Sequence, residues 1–410
     1  MDPKQAVEAV WRIEAGRVIA GLARLVGDVG LAEELAQDAL VAALEQWPAE
    51  GVPRNPGAWL MTTAKRRAID QIRRRERFER NLPELVHPAE ADTSDFDAVL
   101  EEEPIEDDLL RLIFTACHPV LSPEARVALT LRMLGGLSTV EIARAFLVPD
   151  ATVGQRISRA KKTLADAHVP FELPVGADRA ARLASVLEVI YLIFNEGYSA
   201  TAGDDWMRPA LCEEAMRVGR VLAGLMPAEA EVHGLVALLE IQASRSAART
   251  DPSGEPIVLL EQDRSRWDRL LIRRGLDALA RAEALGGGTY TLQAAIAACH
   301  ARARTAAETD WSRIALLYRD LAAIAPSPIV ELNRAVAVSM ADGPAAGLAV
   351  LDPLADEPTL RNYHLLPSVR ADFLLRLGRP AEARAEFERA ASMTRNERER
   401  SLLLSRAAAC

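Results

Sequence analysis

The sequence predicts an all-α protein, and three observations carry that expectation. Hydrophobic residues make up 50 % of the chain but aromatics only 5 %. The apolar mass is therefore mostly Ala, Leu and Val, which suits helices better than sandwiches or barrels. Apolar positions recur at helical spacing along most of the chain, and short Gly/Pro breaks separate the periodic stretches. With 410 residues, the length admits about two or three domains, each able to bury its own core.

Residues 5–80 read as three helices. Val10, Ile13, Val18, Leu22 and Leu25 keep a helical period, and Gly27 and Gly30 punctuate it. A second helix is expected over 31–46. Pro48, Gly51, Pro53 and Pro56 then make a rigid loop, with Pro56 in the first turn of a third helix that runs to about residue 77. Residues 81–108 carry few periodic apolar positions and a dense acidic run, which predicts an exposed linker. Residues 109–168 form a second helical unit. There Ser122 and Pro123 open one helix and Gly135-Gly136 breaks it. Ser138 opens a short helix ending near Phe146, and Val148-Pro149-Asp150 turns into a last helix capped at Asp150. From 178 onward helix follows helix, divided here into a middle domain, 178–285, and a terminal one, 286–410. In the latter, Gly343, Pro344, Gly347 and Leu351 recur as Gly378, Pro380, Ala383 and Phe387. The Pro-to-Pro spacing is 36 residues, close to the ~34-residue tetratricopeptide period. The small residues Gly347 and Ala383 would let paired helices approach closely.

Charge is unevenly placed. The net charge is −10, which alone argues against a free-standing DNA binder. Yet residues 65–80 hold eight basic and three acidic side chains, 81–110 hold eleven acidic and no basic ones, and 155–162 hold four basic ones and no acid. Two basic helices flank an acidic tether.

The second basic helix is the clearer signal. On a helical wheel Val153, Ile157, Ala160 and Leu164 form one narrow apolar stripe, while Thr152, Gln155, Arg156, Arg159 and Lys162 lie opposite, with Lys161 beside them. Ile142, Ala143 and Phe146 of the preceding helix point to the same core. A short helix, a tight turn and a basic amphipathic helix make a helix-turn-helix. Gln and Arg can bond base edges, and Lys and Thr commonly take phosphates. In the third N-terminal helix, Leu60, Met61, Ala64, Ala68, Ile69 and Ile72 make the apolar face. Trp59, Arg66 and Arg73, seven apart, stand opposite. An exposed Trp backed by arginines suits an unpaired base with its phosphates nearby.

These motifs resemble the extracytoplasmic-function (ECF) sigma factors of the sigma-70 family. Residues 32–38, Trp59-Leu60, Ala68-Ile69-Asp70 and Arg73-Arg74-Arg75 are similar to region 2. Leu121-Ser122-Pro123, residues 128–132, Gly136-Leu137-Ser138, Glu141-Ile142-Ala143 and the helix 152–164 are similar to region 4. No region 3 fits between them. The rest of the chain, including residues 191–198, 262–267 and 342–344, is similar to the subgroup with a long tetratricopeptide-like C-terminal extension.

The resemblance implies core RNA polymerase and promoter DNA as partners, with contacts to the β′ clamp helices and the β flap. Glu33, Glu34, Gln37 and Asp38 match the surface that docks on the clamp helices. Arg54 and Asn55 of the 51–55 loop, with Trp59, Arg66, Arg73 and Arg74, match the −10 reader. Many ECF sequences carry Asn where Arg66 stands. Thr152, Gln155, Arg156, Arg159, Lys161 and Lys162 match the −35 reader. The expected function is an alternative sigma factor whose C-terminal domain contacts and regulates the promoter-reading domains. The competing class is a one-component helix-turn-helix regulator with a helical sensor domain. The helix-turn-helix alone would permit it, but an operator binder needs no polymerase-docking helix.

Other classes find little support. No Walker loop, GxSxG, HExxH or dinucleotide fingerprint is present, so no enzyme and no cofactor are expected. Asn195-Glu196-Gly197-Tyr198 reads as a helix end capped at Gly197, and Cys299-His300 as a packed pair, since neighbours on a helix point ~100° apart. Cys117, Cys212, Cys299 and Cys410 lie far apart with no CxxC. That predicts reduced thiols, a cytoplasmic protein and no zinc site. No stretch reads as a signal peptide or membrane span.

Overall fold

A computed structural model describes residues 3–80, 105–200 and 207–410. The readings made for 81–104 therefore lie outside the described residues. Among those described the protein is helical throughout, with one isolated antiparallel bridge between Thr250 and Pro256. The chain divides into two compact units, Met1–Ile190 and Tyr191–Cys410.

The first unit contains α1 (Pro3–Val26), α2 (Val29–Glu50), α3 (Pro56–Arg80), α4 (Ile105–Ala116), α5 (Pro123–Met133), α6 (Thr139–Phe146) and α7 (Asp150–Asp166). The first part of α8 (Gly176–Tyr198) completes it. Asp28 caps α2 through its carboxylate on the Leu31 N–H, 2.8 Å. That helix starts two residues earlier than expected and runs through Pro48 to Glu50. In the last turn Pro48 forfeits only one intrahelical bond, while Trp47 beside it is buried. In α1 the buried hydrophobic positions are Val7, Trp11, Ala15, Val18, Ile19, Ala20, Leu22 and Ala23. Ile13, which keeps the sequence period, is 64 % exposed instead.

Residues 3–80 and 105–190 share one core. Trp11 lies against Gly136, which holds a left-handed φ of +63° and whose β-carbon, if it had one, would press on the indole at 3.1 Å, and Gly16 meets Leu109 and Leu134. The helix α4 opens at Ile105, so the acidic run reaches into it. Asp108 is 1 % exposed and pairs with Arg24 (3.2 Å) and Arg111 (2.8 Å). The exposed linker expected over 81–108 thus does not extend to its last residue, where Asp108 is buried in a helix. The start of α8 is sewn to the same unit. Ser185 donates to the Cys117 carbonyl (2.6 Å), Arg182 to the Phe114 carbonyl (3.1 Å), and Arg126 to Ser185 and Glu188.

The second unit runs from the end of α8 through α9 (Pro209–Leu225), α10 (Ala230–Ala243), α11 (Arg269–Ala284), α12 (Thr289–Arg302) and α13 (Trp311–Ile324). It ends with α14 (Pro328–Asp342), α15 (Pro344–Leu351), α16 (Leu365–Arg376), α17 (Pro380–Met393) and α18 (Glu397–Ala408). Consecutive helices pair along it. Gly347 is the closest approach in the α14–α15 pair: a β-carbon there would collide with Ser339 and press on the Ala335 carbonyl and the Phe373 ring. Ala383 and Phe387 are fully buried in the same cluster. Gly197 does not cap a helix. It lies inside α8, where a β-carbon would come within 2.7 Å of the Cys212 nitrogen. Glu196 is engaged by Arg208, so that stretch is packing and pairing rather than an open carboxylate site.

Candidate nucleic-acid interface

The helix-turn-helix is built from local signals. Ser138 and Glu141 cap each other's backbone at the start of α6: Ser138 Oγ accepts the Glu141 N–H (3.2 Å), and Glu141 Oε2 accepts the Ser138 N–H (2.8 Å). Burial opposes ionisation of Glu141. The bonds from Ser138 and the Arg12 guanidinium at 2.5 Å prevail and hold its carboxyl below the ordinary value of 4.5. Leu147 closes α6 in the left-handed region, φ +50°. The residue flanking α7 is Pro149, which offers no side-chain cap, and Asp150 is the first helical residue rather than the cap.

The Ser138 hydroxyl therefore holds the helix α6 on which α7 packs. Ser138→Ala is expected to cost about 1 kcal/mol, read as a lower urea midpoint at pH 7. Because the folded-state value of Glu141 is depressed, its contribution is present above 4.5 and is lost as the pH falls through the depressed value. The gap between wild type and variant is thus expected to narrow in acid.

Val153, Ile157, Ala160 and Leu164 of α7 are all buried. Thr152, Gln155, Arg159 and Lys162 are exposed, and Arg156 is half-buried. Lys161 points elsewhere. Its ammonium lies 2.5 Å from Glu33 Oε2 and 3.8 Å from Glu34. Glu33 is only 3 % exposed, and its other oxygen takes the Arg132 Nε at 2.8 Å. Arg132 also donates to the Leu137 carbonyl, 3.2 Å. One carboxylate from α2 thus joins a cation from α5 to one from α7. The remaining α2 candidates differ: Glu34 and Asp38 are exposed and Gln37 is half-buried. Asp38 lies 3.5 Å from Arg67.

At the start of α3, Asn55 Oδ1 accepts the Ala58 N–H (3.1 Å), so Asn55 caps this helix. Arg54, Arg66, Arg73 and Arg74 are exposed. Trp59 is half-buried and meets Trp47 edge-on, with centroids 5.3 Å apart. Its indole is therefore held in place on one side. Leu60, Ala64 and Ala68 are buried beneath, while Met61, Ile69 and Ile72 are half-buried. In this region the sequence holds no sign of Trp47 against Trp59, and it shows Arg132 only as part of the 128–132 motif, with no role of its own. The significance of Arg132 depends on Glu33, 99 positions away.

Two other features bear on chemistry. Burial pushes the Cys117 thiol up to about 11 and the Cys212 thiol up to about 12, which makes both poor nucleophiles. No helix among the described residues is long and apolar enough to cross a membrane.

Residues 12–78 match the family model of sigma-70 region 2, and 111–164 match that of sigma-70 region 4. The two matched stretches are the two halves of the first unit, and they define a sigma-70 factor. Residues 182–283 match a family of unknown function, DUF6596. An uncharacterised protein of Rhizobium meliloti (strain 1021) is 44 % identical over 386 residues, covering 93 % of this chain and 90 % of that protein. A protein of Mycobacterium tuberculosis named "Probable ECF RNA polymerase sigma factor SigI" is 27 % identical over 176 residues, 41 % of this chain and 58 % of that protein. The ECF RNA polymerase sigma factor SigK of Mycobacterium sp. (strain KMS) is 29 % identical over 156 residues, 37 % of this chain and 77 % of that protein. No solved structure matches. The chain belongs to the ECF sigma factors of the sigma-70 family, as a member with a helical C-terminal extension that contains DUF6596. Its function is that of an alternative RNA polymerase sigma factor in transcription initiation, with core polymerase and promoter DNA as partners.

Proposed function

We propose that this sigma factor docks on the β′ clamp helices through Glu33, Glu34, Gln37 and Asp38, and reads the −35 element with Thr152, Gln155, Arg156, Arg159 and Lys162. Arg54, Asn55, Trp59, Arg66, Arg73 and Arg74 engage the −10 element as it opens, and the region 4 unit meets the β flap. The protein does no covalent chemistry itself and works in the cytoplasm, where polymerase is. The exposed basic face of α7 and the clamped indole of Trp59 support this reading.

The observation that carries most weight is the ion cluster at Glu33. A carboxylate assigned to polymerase docking and a lysine assigned to the −35 reader neutralise each other, with Arg132 alongside. Neither can serve its outside partner while the cluster is closed. The first unit is thus a closed resting form, and polymerase binding opens it by exchanging internal ion pairs for external ones. The C-terminal extension controls how available the opened form is. Gel filtration with core polymerase tests the docking: co-elution of the full chain that is weakened by Glu34→Lys with Asp38→Lys supports it, and unchanged co-elution contradicts it.

Truncation is a poor probe of the extension if it ends before α8. Leu183, Val186, Leu187, Val189 and Ile190 are buried parts of the first unit's span. A fragment ending at 173 would lose the Arg182 and Ser185 bonds to the carbonyls of α4 and Cys117. Cuts belong after Ile190.

A further inference from the structure

The second unit holds a cavity of about 430 Å³ walled by α10, α12, α13 and α14. That volume lies within the range of small-molecule sites. Its apolar wall includes Ile296 and Leu321, and Tyr191 and Tyr318 add aromatic faces. Burial pushes the Tyr318 hydroxyl up to about 12, so it is a neutral donor.

The polar side of this cavity is unusual. Arg245 lines it and is only 8 % exposed, yet its guanidinium has no carboxylate within 4.0 Å among the described residues. It is flanked instead by the rings of Tyr198 and Trp267, at 5.8 and 5.9 Å. Neighbouring buried arginines differ in their terminal nitrogens, which find acceptors even though Arg264 Nε, like Arg245 Nε, has none. Arg264 donates to the carbonyls of His300 and Ala303 and to Thr309, and Arg249 donates to the Tyr198 carbonyl. Three buried atoms on the cavity's lining residues lack a hydrogen-bond partner: Arg245 Nε, His300 Nδ1 and Gln242 Oε1. Buried polar groups are almost always paired, and an unpaired buried cation is costly. Burial, Arg245 and Arg264 together push His300 down to about 3. The imidazole is therefore neutral and able to donate one hydrogen bond.

We propose that this cavity is a ligand site for a small organic anion: a carboxylate or phosphate head on Arg245 that accepts a hydrogen bond from His300, with an apolar or aromatic body against Ile296, Leu321 and Tyr318. The head supplies the counter-charge that the fold withholds from Arg245. The two tyrosines and the small volume select a compact ring rather than a long chain. The site lies in the extension and is independent of how the promoter-reading unit works.

The test is titration calorimetry and thermal melting of the full chain with three probes of similar shape: phenylacetate, phenyl phosphate and the neutral phenylacetamide. At least one anion is expected to bind at least tenfold more tightly than the amide and to raise the melting temperature. Whether phenylacetate or phenyl phosphate wins distinguishes a carboxylate ligand from a phosphate one. Arg245→Met is expected to lose that binding at least tenfold. It is also expected to melt above the wild type without a probe, because it removes an uncompensated buried charge. If that variant fails to fold, Gln293→Phe, which fills the cavity from its rim, is expected to abolish anion binding. Equal binding of amide and anions, binding of neither anion, or anion binding unchanged in the variant that folds would each overturn the site.

Discussion

Replacing Arg156 and Arg159 together by alanine is expected to weaken promoter binding by the holoenzyme about thirtyfold or more. Arg159 is exposed on the face of α7 away from the buried stripe of Val153, Ile157, Ala160 and Leu164, and Arg156 is half-buried at the edge of that stripe. Each guanidinium bidentate to a guanine is worth about 1–3 kcal/mol of discrimination. Taking the lower figure for each gives about 2 kcal/mol for the pair, although two residues one turn apart that share one stretch of groove need not add. Lys162→Ala should behave differently. As a phosphate contact it weakens all sequences alike and lowers the salt slope by about one. The check is a binding isotherm on a promoter with its −35 element intact and on one with it scrambled. The double variant is expected to lose the difference between the two DNAs. Retention of that difference would remove α7 from the reading role.

Arg132→Ala is expected to open the first unit. Its guanidinium lies 2.8 Å from Glu33, which is 3 % exposed. Deleting it leaves a buried carboxylate held by Lys161 alone, and breaking such an ion pair costs about 3–5 kcal/mol. Because Lys161 remains, the lower figure applies. About 3 kcal/mol is a little over a hundredfold in the closed-to-open ratio. Amide exchange in α2 and α7 should quicken accordingly. Arg132 belongs to neither the docking set nor the DNA set, so core polymerase should bind the variant more tightly, relieved of the work of opening. Unchanged exchange together with unchanged polymerase affinity would show that the cluster is not a lock.

What could be read from the sequence was what is decided within a few residues. Ser122 and Ser138 are caps because the serine, the following proline or the glutamate three positions on are all local. The apolar stripe of α7 needed only its own period. Gly347 was legible because a repeat placed a small residue where two helices meet. The misses have the opposite character. Ile13 kept the helical period, yet Trp11 took the core because Gly136, far along the chain, leaves room for an indole. Charge counting makes Asp108 one more carboxylate of the acidic run. Its partner Arg24 is on another helix, and charge counting within a window cannot see it. Gly197 looked like a helix end because glycine commonly ends helices, but what it serves is the close passage of α9. Arg245 left no mark in the sequence at all. An arginine becomes notable only when its surroundings fail to supply an acid, and that is a property of the packed helices. The family could be read because the two promoter-reading regions are strings of local motifs in a fixed order. The ion cluster of the first unit could not, because Glu33, Arg132 and Lys161 come from three separate helices.

Run-off transcription with bacterial core polymerase tests the central claim most directly. Templates drawn from the source genome, each carrying upstream sequence, are transcribed with core alone, with core plus the full chain, and with core plus the Arg156→Ala, Arg159→Ala variant. The expected result is a set of discrete transcripts from some templates that depend on the full chain and fade with the variant, with no requirement for a cofactor beyond the polymerase's own. Absence of any chain-dependent transcript, from a protein shown to be folded and mixed with active core, would contradict it.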